Sequence, residues 1–111
     1  MIVPTPSVRL VLTTAGSREE ADRIATVLVE SHLAACVNLL PGISSVYRWQ
    51  GKVETADEVL LLIKTTLDNL GAVESAVRGL HSYELPEFLV LDPIAAPQAY
   101  ADWIAASAQR S

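Results

Sequence analysis

Residues 34–65 read AACVNLLPGISSVYRWQGKVETADEVLLLIKT, and this stretch decides the fold. Two runs rich in Val, Ile, Leu, Tyr and Trp flank Gln50-Gly51, where the glycine supplies the positive φ that a tight turn needs. The pattern predicts one long β-hairpin. Its first arm, Cys36 to Trp49, would span about 45 Å at roughly 3.3 Å per residue, whereas a compact domain of this size is only roughly 35 Å across.

The excess length predicts a hairpin that leaves its own sheet. We expect Pro41-Gly42 to interrupt the first arm and residues 44–58 to project beyond the local sheet. An exposed strand edge that carries Tyr47 and Trp49 invites aggregation unless something covers it. A closed symmetric oligomer would cover it, so the sequence predicts a homo-oligomer with Tyr47 and Trp49 packed between subunits.

The remaining segments surround this hairpin in a recognisable order. A strand, a helix that starts with a Ser17–Glu20 capping box, the hairpin, a second helix, a short strand and a last helix follow one another. We predict an α+β fold, the ferredoxin-like split β-α-β sandwich, with a long hairpin between its second and third strands and an extra C-terminal helix. Residues 1–111 are expected to form a single domain, in which residues 1–7 are a short extended tail.

Composition excludes several classes of function. The 111 residues carry a net charge of −5 and no cluster of Lys or Arg, which argues against nucleic acid as a partner. No apolar run approaches the ~20 residues of a membrane span. The lone Cys36 cannot form an internal disulfide, and the first residues do not resemble a signal peptide, so we expect a cytoplasmic protein without a membrane partner.

No complete catalytic set is present in the sequence. The G-x-S-x-G, glycine-rich phosphate-loop and H-E-x-x-H motifs are all missing, so we predict that the protein is not an enzyme. Cys36 and the nearby His32 could form a nucleophile pair. A small buried thiol is the favoured interpretation.

Two polar clusters are candidate ligand sites. His81, Tyr83, Glu84 and Glu87 gather in one connector, where they could bind a ligand or metal. The favoured alternative is a solvated loop whose histidine caps the preceding helix. The second cluster comprises the carboxylates of the returning arm, Glu54, Asp57 and Glu58, which could attract a divalent cation but are also ordinary on a strand edge.

The same segments carry a resemblance to a known family. They include Ala34–Asn38, Pro41–Ile43, Ser45, Tyr47, Trp49, Gly51, Lys52, Glu54, Glu58, Ile63–Thr65, His81–Glu87, and Tyr100 with Trp103–Ile104. In this order and spacing they resemble the CutA family, the divalent-cation tolerance proteins, over nearly the whole chain. The resemblance implies a tight homotrimer built like the PII signalling proteins, a link to copper and other divalent metals, and no established catalysis. Trp103 joins Tyr47 and Trp49 as an expected trimer contact.

A copper site proposed for the family implies a cysteine and paired histidines, and the matching positions here are Thr13, Leu80 and His81. Only His81 retains a metal-ligating side chain at these positions. Our first hypothesis is a metal contact, copper or another divalent cation, at His81 with Glu84 or Cys36 as helpers.

The second hypothesis is a PII-like sensor that binds a small anionic ligand in a cleft between subunits. Lys64, Arg48, Tyr83 and Glu84 would line this cleft, and the cations would meet the charge of the ligand. A third hypothesis is a scaffold whose hairpin and aromatic residues serve trimer stability alone. Loss of binding on His81→Ala or on Lys64→Ala would distinguish the first two.

Overall fold

The computed structural model describes residues 1–110. Its strands and helices are β1 Ile2–Pro4, β2 Val8–Ala15, α1 Arg18–Glu30, β3 Cys36–Trp49, β4 Lys52–Thr66, a 3-10 turn Leu67–Asn69, α2 Leu70–Leu80, β5 Leu89–Leu91, β6 Ala95–Pro97 and α3 Gln98–Ser107. The main sheet is antiparallel with strand order β3-β4-β2-β5. This order is that of a ferredoxin-like sandwich, so the predicted α+β fold class is confirmed.

The hairpin has the predicted form. β3 and β4 pair continuously from Cys36↔Lys64 to Trp49↔Lys52, apart from one bulge between Leu40 and Ile43. Gly42 takes a φ of 76° there, and Gly51 takes 81° at the tip, values that favour glycine over other residues. The molecule is 46 Å long but only 26 by 22 Å across, because the hairpin extends past the helices.

The main core lies between the sheet and the helices α1 and α2. Val11 of β2 and Leu61 and Ile63 of β4 meet Ile24 of α1 and Val77 of α2, and all five side chains are buried. The alternate residues of the strands and the i, i+3, i+4 positions of the helices supply this apolar layer. A compact body therefore anchors the base of the hairpin.

Helix α3 covers part of the opposite face of the sheet. Its Ile104 and the following Ala108 pack against Val8 and Ala35. The Asn69 side-chain amide donates to the Ala108 carbonyl oxygen at 2.6 Å, which fixes the end of α3 beside the start of α2. The extra C-terminal helix is thus present and begins next to Pro97, as predicted.

The chain also contains a small sheet that the sequence did not predict. β1 and β6 pair antiparallel, with Val3 opposite Ala96. The first residues are extended as expected, but they are a strand and not a free tail. Each segment has only three residues, which is too short to show the alternation of apolar and polar residues that predicts a strand. The two segments meet only because the chain turns back after β5. No helix of residues 1–110 is long and apolar enough to cross a membrane.

Candidate functional site

An open groove of about 700 Å³ separates the projecting hairpin from the connector, residues 81–87. Its lining consists of Thr14, Ser45, Val46, Tyr47, Trp49, Glu58, Tyr83, Glu84, Leu85, Pro86 and Glu87. One wall comes from β3 and β4 where they leave the compact body, and the other comes from the connector. The groove is therefore a product of the hairpin's excess length.

His81 anchors the start of the connector. Its side chain is completely buried. The Tyr83 amide N–H donates to its Nδ1 at 3.0 Å, so the ring proton lies on Nε2, which donates to the Thr14 carbonyl oxygen at 2.6 Å. The connector is solvated as the favoured interpretation expected, since residues 82–85 are exposed. The expected helix cap is wrong for the His81 ring, which bonds β2 from within the protein. Both ring nitrogens are already in hydrogen bonds, which leaves neither of them free for a metal in this arrangement.

Glu20 of α1 holds the next residue of the connector. Its carboxylate is buried, with the residue 5% exposed, and accepts from the Ser82 amide N–H at 2.5 Å and from the Ser82 hydroxyl at 3.1 Å. The capping box forms only in part. Ser17 Oγ does accept from the Glu20 amide at 3.2 Å, but the Glu20 carboxylate bonds the distant connector.

Tyr83 connects this anchored segment to the hairpin. Its hydroxyl donates to Glu58 Oε2 at 2.9 Å. Burial, followed by the hydrogen bond and the negative charge of Glu58, raises the pKa of Tyr83 to about 12. Gly16 makes room for this ring, because a Cβ at Gly16 would lie 2.9 Å from the Tyr83 hydroxyl oxygen. The phenol is thus held neutral and in a fixed direction across the inner end of the groove.

The charge of the groove has one sign. Glu58, Glu84 and Glu87 supply carboxylates to its lining, and no Lys, Arg or His belongs to that lining. Tyr47, Trp49 and Tyr83 supply aromatic rings. Such a surface attracts cations and repels anions.

The structure does not bring the three predicted metal ligands together. His81 bonds Thr14, which pairs with Leu60, whereas Cys36 pairs with Lys64. Leu60 and Lys64 are four residues apart on β4, which corresponds to about 13 Å along the strand. Glu84 lies at the groove, away from Cys36. Among residues 1–110, no group of three or more His, Cys, Asp or Glu side chains is placed to hold a metal ion.

The predicted anion cleft is also dispersed within one chain. Arg48 lies at the hairpin tip opposite Val53, eleven residues of β4 from Lys64, which corresponds to about 36 Å. The Lys64 ammonium donates to the Tyr100 hydroxyl at 3.1 Å, and this contact is the main cause that raises the pKa of Lys64. Only Tyr83 and Glu84 of the predicted set line the groove.

The other predicted residues have structural neighbours. Thr13 Oγ1 donates to the Glu87 carbonyl oxygen at 2.6 Å and so ties the end of the connector to β2. His32 Nδ1 lies 3.3 Å from the Ser107 carbonyl oxygen, in a contact that does not involve Cys36. Trp103 stacks on Tyr100 with ring centroids 5.6 Å apart, outside the groove.

Sequence reasoning missed the residues that support the groove. Glu20 and Gly16 are far from the connector in sequence, and each looked like an ordinary part of a turn or a helix start. The sequence alone favours Glu58 as an edge carboxylate on the solvent side. Its burial and its bond to Tyr83 depend on a pairing between segments that no local pattern encodes.

Together, the fold and the groove define a ferredoxin-like chain with a projecting hairpin and an acidic, aromatic-lined groove at its base. Comparisons with known proteins identify the family. The family model described as "CutA1 divalent ion tolerance protein" matches residues 9–107. The chain therefore belongs to the CutA1 family.

Individual relatives agree with this assignment. The divalent-cation tolerance protein CutA of Thermus thermophilus is 45% identical over 86% of this chain and 92% of its own length. The solved structure of CutA from Synechococcus elongatus has a TM-score of 0.92 at 42% identity and covers 98% of this chain and 96% of its own. The chloroplastic CutA of Arabidopsis thaliana is 39% identical over 89% of this chain. The matched region spans only 54% of the length of that relative.

Proposed function

We propose that this chain is a non-enzymatic homotrimeric protein of divalent-cation tolerance, which contacts divalent cations through the carboxylates of its groove. Membership of the CutA1 family and the name of the Thermus thermophilus relative support the general role. The cytoplasmic location stays a prediction, since the Arabidopsis thaliana relative is named chloroplastic.

One observation carries the proposed contact: the groove lining contains three carboxylates and no basic side chain. Carboxylate oxygens suit hard divalent cations such as Mg²⁺, Ca²⁺ and Mn²⁺. Glu84 and Glu87 are both exposed. Water or a neighbouring subunit would supply the remaining ligands.

Copper at His81 stays a second prediction. A copper ion there would have to replace the bond from the Tyr83 amide or the bond to Thr14. An exchange of this kind exposes an unpaired polar group in a buried place, which costs about 1–3 kcal/mol. The exposed carboxylates carry no such penalty.

Isothermal titration calorimetry of the untagged protein with Mn²⁺ and with Cu²⁺ tests the contact. We expect Glu84→Gln with Glu87→Gln to weaken Mn²⁺ binding by about tenfold or more, since two charged ligands are removed. Glu19→Gln with Glu30→Gln on α1 removes the same charge from an exposed surface and is the matched control. Unchanged Mn²⁺ binding in the groove variant refutes the carboxylate contact. Cu²⁺ binding that only His81→Asn abolishes would place the metal at His81.

The unpaired edges of the sheet support the homotrimer. β3 and β5 are both edge strands, and large apolar side chains of the hairpin lie in solvent, with Val46 71% and Val53 64% exposed. Pairing with neighbouring copies would cover them.

Native mass spectrometry at decreasing concentration tests the assembly. Trp49→Ala removes a large aromatic side chain from the expected interface, so we expect the variant to dissociate at concentrations where the parent stays trimeric. Glu54→Gln is the control on the same hairpin. A parent protein that is monomeric refutes the trimer, and a Trp49→Ala variant as resistant to dilution as the parent refutes the placement of Trp49.

The predicted anionic ligand depends on the same assembly. Within one chain Arg48 and Lys64 are too far apart to share a small ligand, so only Arg48 of one subunit beside Lys64 of another could form that cleft. The acidic lining of the groove makes this the less favoured function.

A further inference from the structure

Helix α3 packs on a small apolar cluster that is separate from the main core. In this cluster Ile104 of α3 and the following Ala108 contact Val8 and Ala35. Two of these four side chains are alanines, which bury little apolar surface. Ile104 alone is buried in α3, whereas α1 buries five of its residues. Apolar packing therefore holds α3 more weakly than it holds α1.

The local sequence of α3 adds little to its stability. The helix has ten residues, Gln98–Ser107, and isolated helices shorter than about 12–15 residues are marginal in water. Pro97 precedes the helix and provides no side-chain cap, whereas Ser17 caps α1. Helix α3 thus stays folded because of its contacts with the rest of the protein.

A single buried amide, that of Asn69, holds the end of α3. Asn69 is 4% exposed. Its Nδ2 donates to the carbonyl oxygens of Ala108 at 2.6 Å and Leu33 at 3.2 Å, and its Oδ1 accepts from Arg110 Nε at 3.1 Å. The side chain does not cap α2, although Asn69 directly precedes that helix. Asn69 therefore joins the chain after α3 to the turn between α1 and β3.

The other side-chain contacts of α3 with the sheet and with α1 are exposed. The Lys64 ammonium donates to the Tyr100 hydroxyl at 3.1 Å, and His32 Nδ1 lies 3.3 Å from the Ser107 carbonyl oxygen. Water can replace such exposed hydrogen bonds, so their net contribution is small. The buried amide of Asn69 is the stronger polar attachment.

We propose that α3 is a latch, a helix that opens as a unit while the main sheet, α1 and α2 stay folded, and that Asn69 keeps it closed. Proteins commonly open in such separate cooperative units, and weakly packed elements open first. Opening would uncover Val8 and Ala35 and displace Trp103, an expected trimer contact. The inference goes beyond the proposed function, because it requires neither a metal ion nor a neighbouring subunit.

Hydrogen–deuterium exchange of the parent protein in increasing, sub-denaturing urea tests the latch. We expect the amides of α3 to exchange about 100-fold or more faster than those of β2 and β4. Their rates should also depend less on urea, because local opening exposes less surface than global unfolding does. Equal rates and equal urea dependence in α3 and the sheet would overturn the proposal.

A variant in the main core separates local from global opening. Ile24→Val weakens the packing of α1, so exchange in β2 and β4 should accelerate about two- to tenfold. Exchange in α3 should change by less than about twofold, because opening of the latch leaves the contacts of Ile24 intact. Equal acceleration in α3 and the sheet would mean that α3 opens only when the whole protein unfolds.

The role of Asn69 is tested with a second variant and a matched control. Asn69→Ala removes the buried amide, and we expect exchange in α3 to accelerate about tenfold or more. Asn38→Ala makes the same change at an exposed residue of β3 and should alter exchange in α3 by less than about twofold. Similar rates in the two variants would refute Asn69 as the contact that holds the latch.

Native mass spectrometry of the same samples records the assembly state. Faster exchange of α3 in Asn69→Ala at an unchanged assembly state supports the latch. Acceleration that occurs only as the assembly dissociates on dilution would mean that a neighbouring copy holds α3, and it would overturn the proposal. A parent protein that is monomeric refutes the trimer, while the exchange of α3 still decides the latch.

Discussion

Glu20 and Glu58 are both buried carboxylates beside the connector, yet they meet different partners. Glu20 accepts two hydrogen bonds from Ser82, one of them from the backbone. Glu58 accepts one, from the Tyr83 hydroxyl, and belongs to the groove lining. The comparison shows that two carboxylates of similar burial differ in the number of hydrogen bonds that hold them in place.

The largest expected effect is at Glu20. Glu20→Gln keeps the size of the side chain but removes the charge that strengthens both bonds to Ser82, so we expect a loss of about 1.5–3 kcal/mol in the free energy of unfolding. Urea unfolding at fixed protein concentration measures this loss. Glu19→Gln, exposed in the same helix turn, is the control. Similar stabilities for the two variants would show that Glu20 does not anchor the connector.

A smaller loss in the free energy of unfolding is expected when a substitution at Gly16 pushes Tyr83 of the connector away from Glu58 of the hairpin. Gly16→Ala would place a Cβ 2.9 Å from the Tyr83 hydroxyl oxygen and push the ring from Glu58. Overpacking of this kind costs about 1–3 kcal/mol, and the exposed end of the ring places the expected value near the lower limit.

Gly71→Ala is the matched control for Gly16→Ala. No atom lies within 4 Å of the added Cβ in α2, so this variant should gain about 0.5–1 kcal/mol from helix propensity. Urea unfolding compares the two variants. Equal responses would mean that the contact between Gly16 and Tyr83 is unimportant.

The link between Tyr83 and Glu58 also predicts a pH dependence. Burial and Glu58 raise the pKa of Tyr83 from 10.0 to about 12, so the folded protein favours the neutral phenol. The contribution of this raised pKa to the free energy of unfolding is fully present below pH 10 and is lost as the pH rises from 10 toward 12.

Tyrosinate absorbance resolves this titration by subtracting the curve of Tyr83→Phe from that of the parent protein. In Glu58→Gln the midpoint of Tyr83 should move down toward 10.0, because the hydrogen bond to a charged acceptor is lost. An unmoved midpoint would assign the raised pKa of Tyr83 to burial alone.

The smallest effect is expected at Glu58 itself. Glu58→Gln removes a buried charge that has only one hydrogen bond, so the free energy of unfolding should stay within about 0.5 kcal/mol of the parent or rise slightly. A variant as stable as the parent would sharpen the contrast with Glu20. A loss as large as that of Glu20→Gln would make Glu58 a structural residue.

The sequence by itself determined the order of the elements and the main sheet. Strand alternation, helical spacing and Gly51 are local signals, so they predicted the hairpin, the helices and the ferredoxin-like order correctly. The length of residues 36–49 alone implied that the hairpin would extend past the compact body, and the 46 Å long axis agrees. Family membership was also accessible, because several spaced motifs agree in order.

Only the tertiary structure decided which polar residues form the site. The bonds of Glu20 to Ser82, of Tyr83 to Glu58 and of His81 to Thr14 join positions that lie 62, 25 and 67 residues apart in the chain. Local periodicity carries no information about such pairs, so the sequence favoured His81 as a helix cap in a solvated loop and Glu58 as an edge carboxylate. Burial and hydrogen bonding, which are set by packing between distant elements, reversed both interpretations.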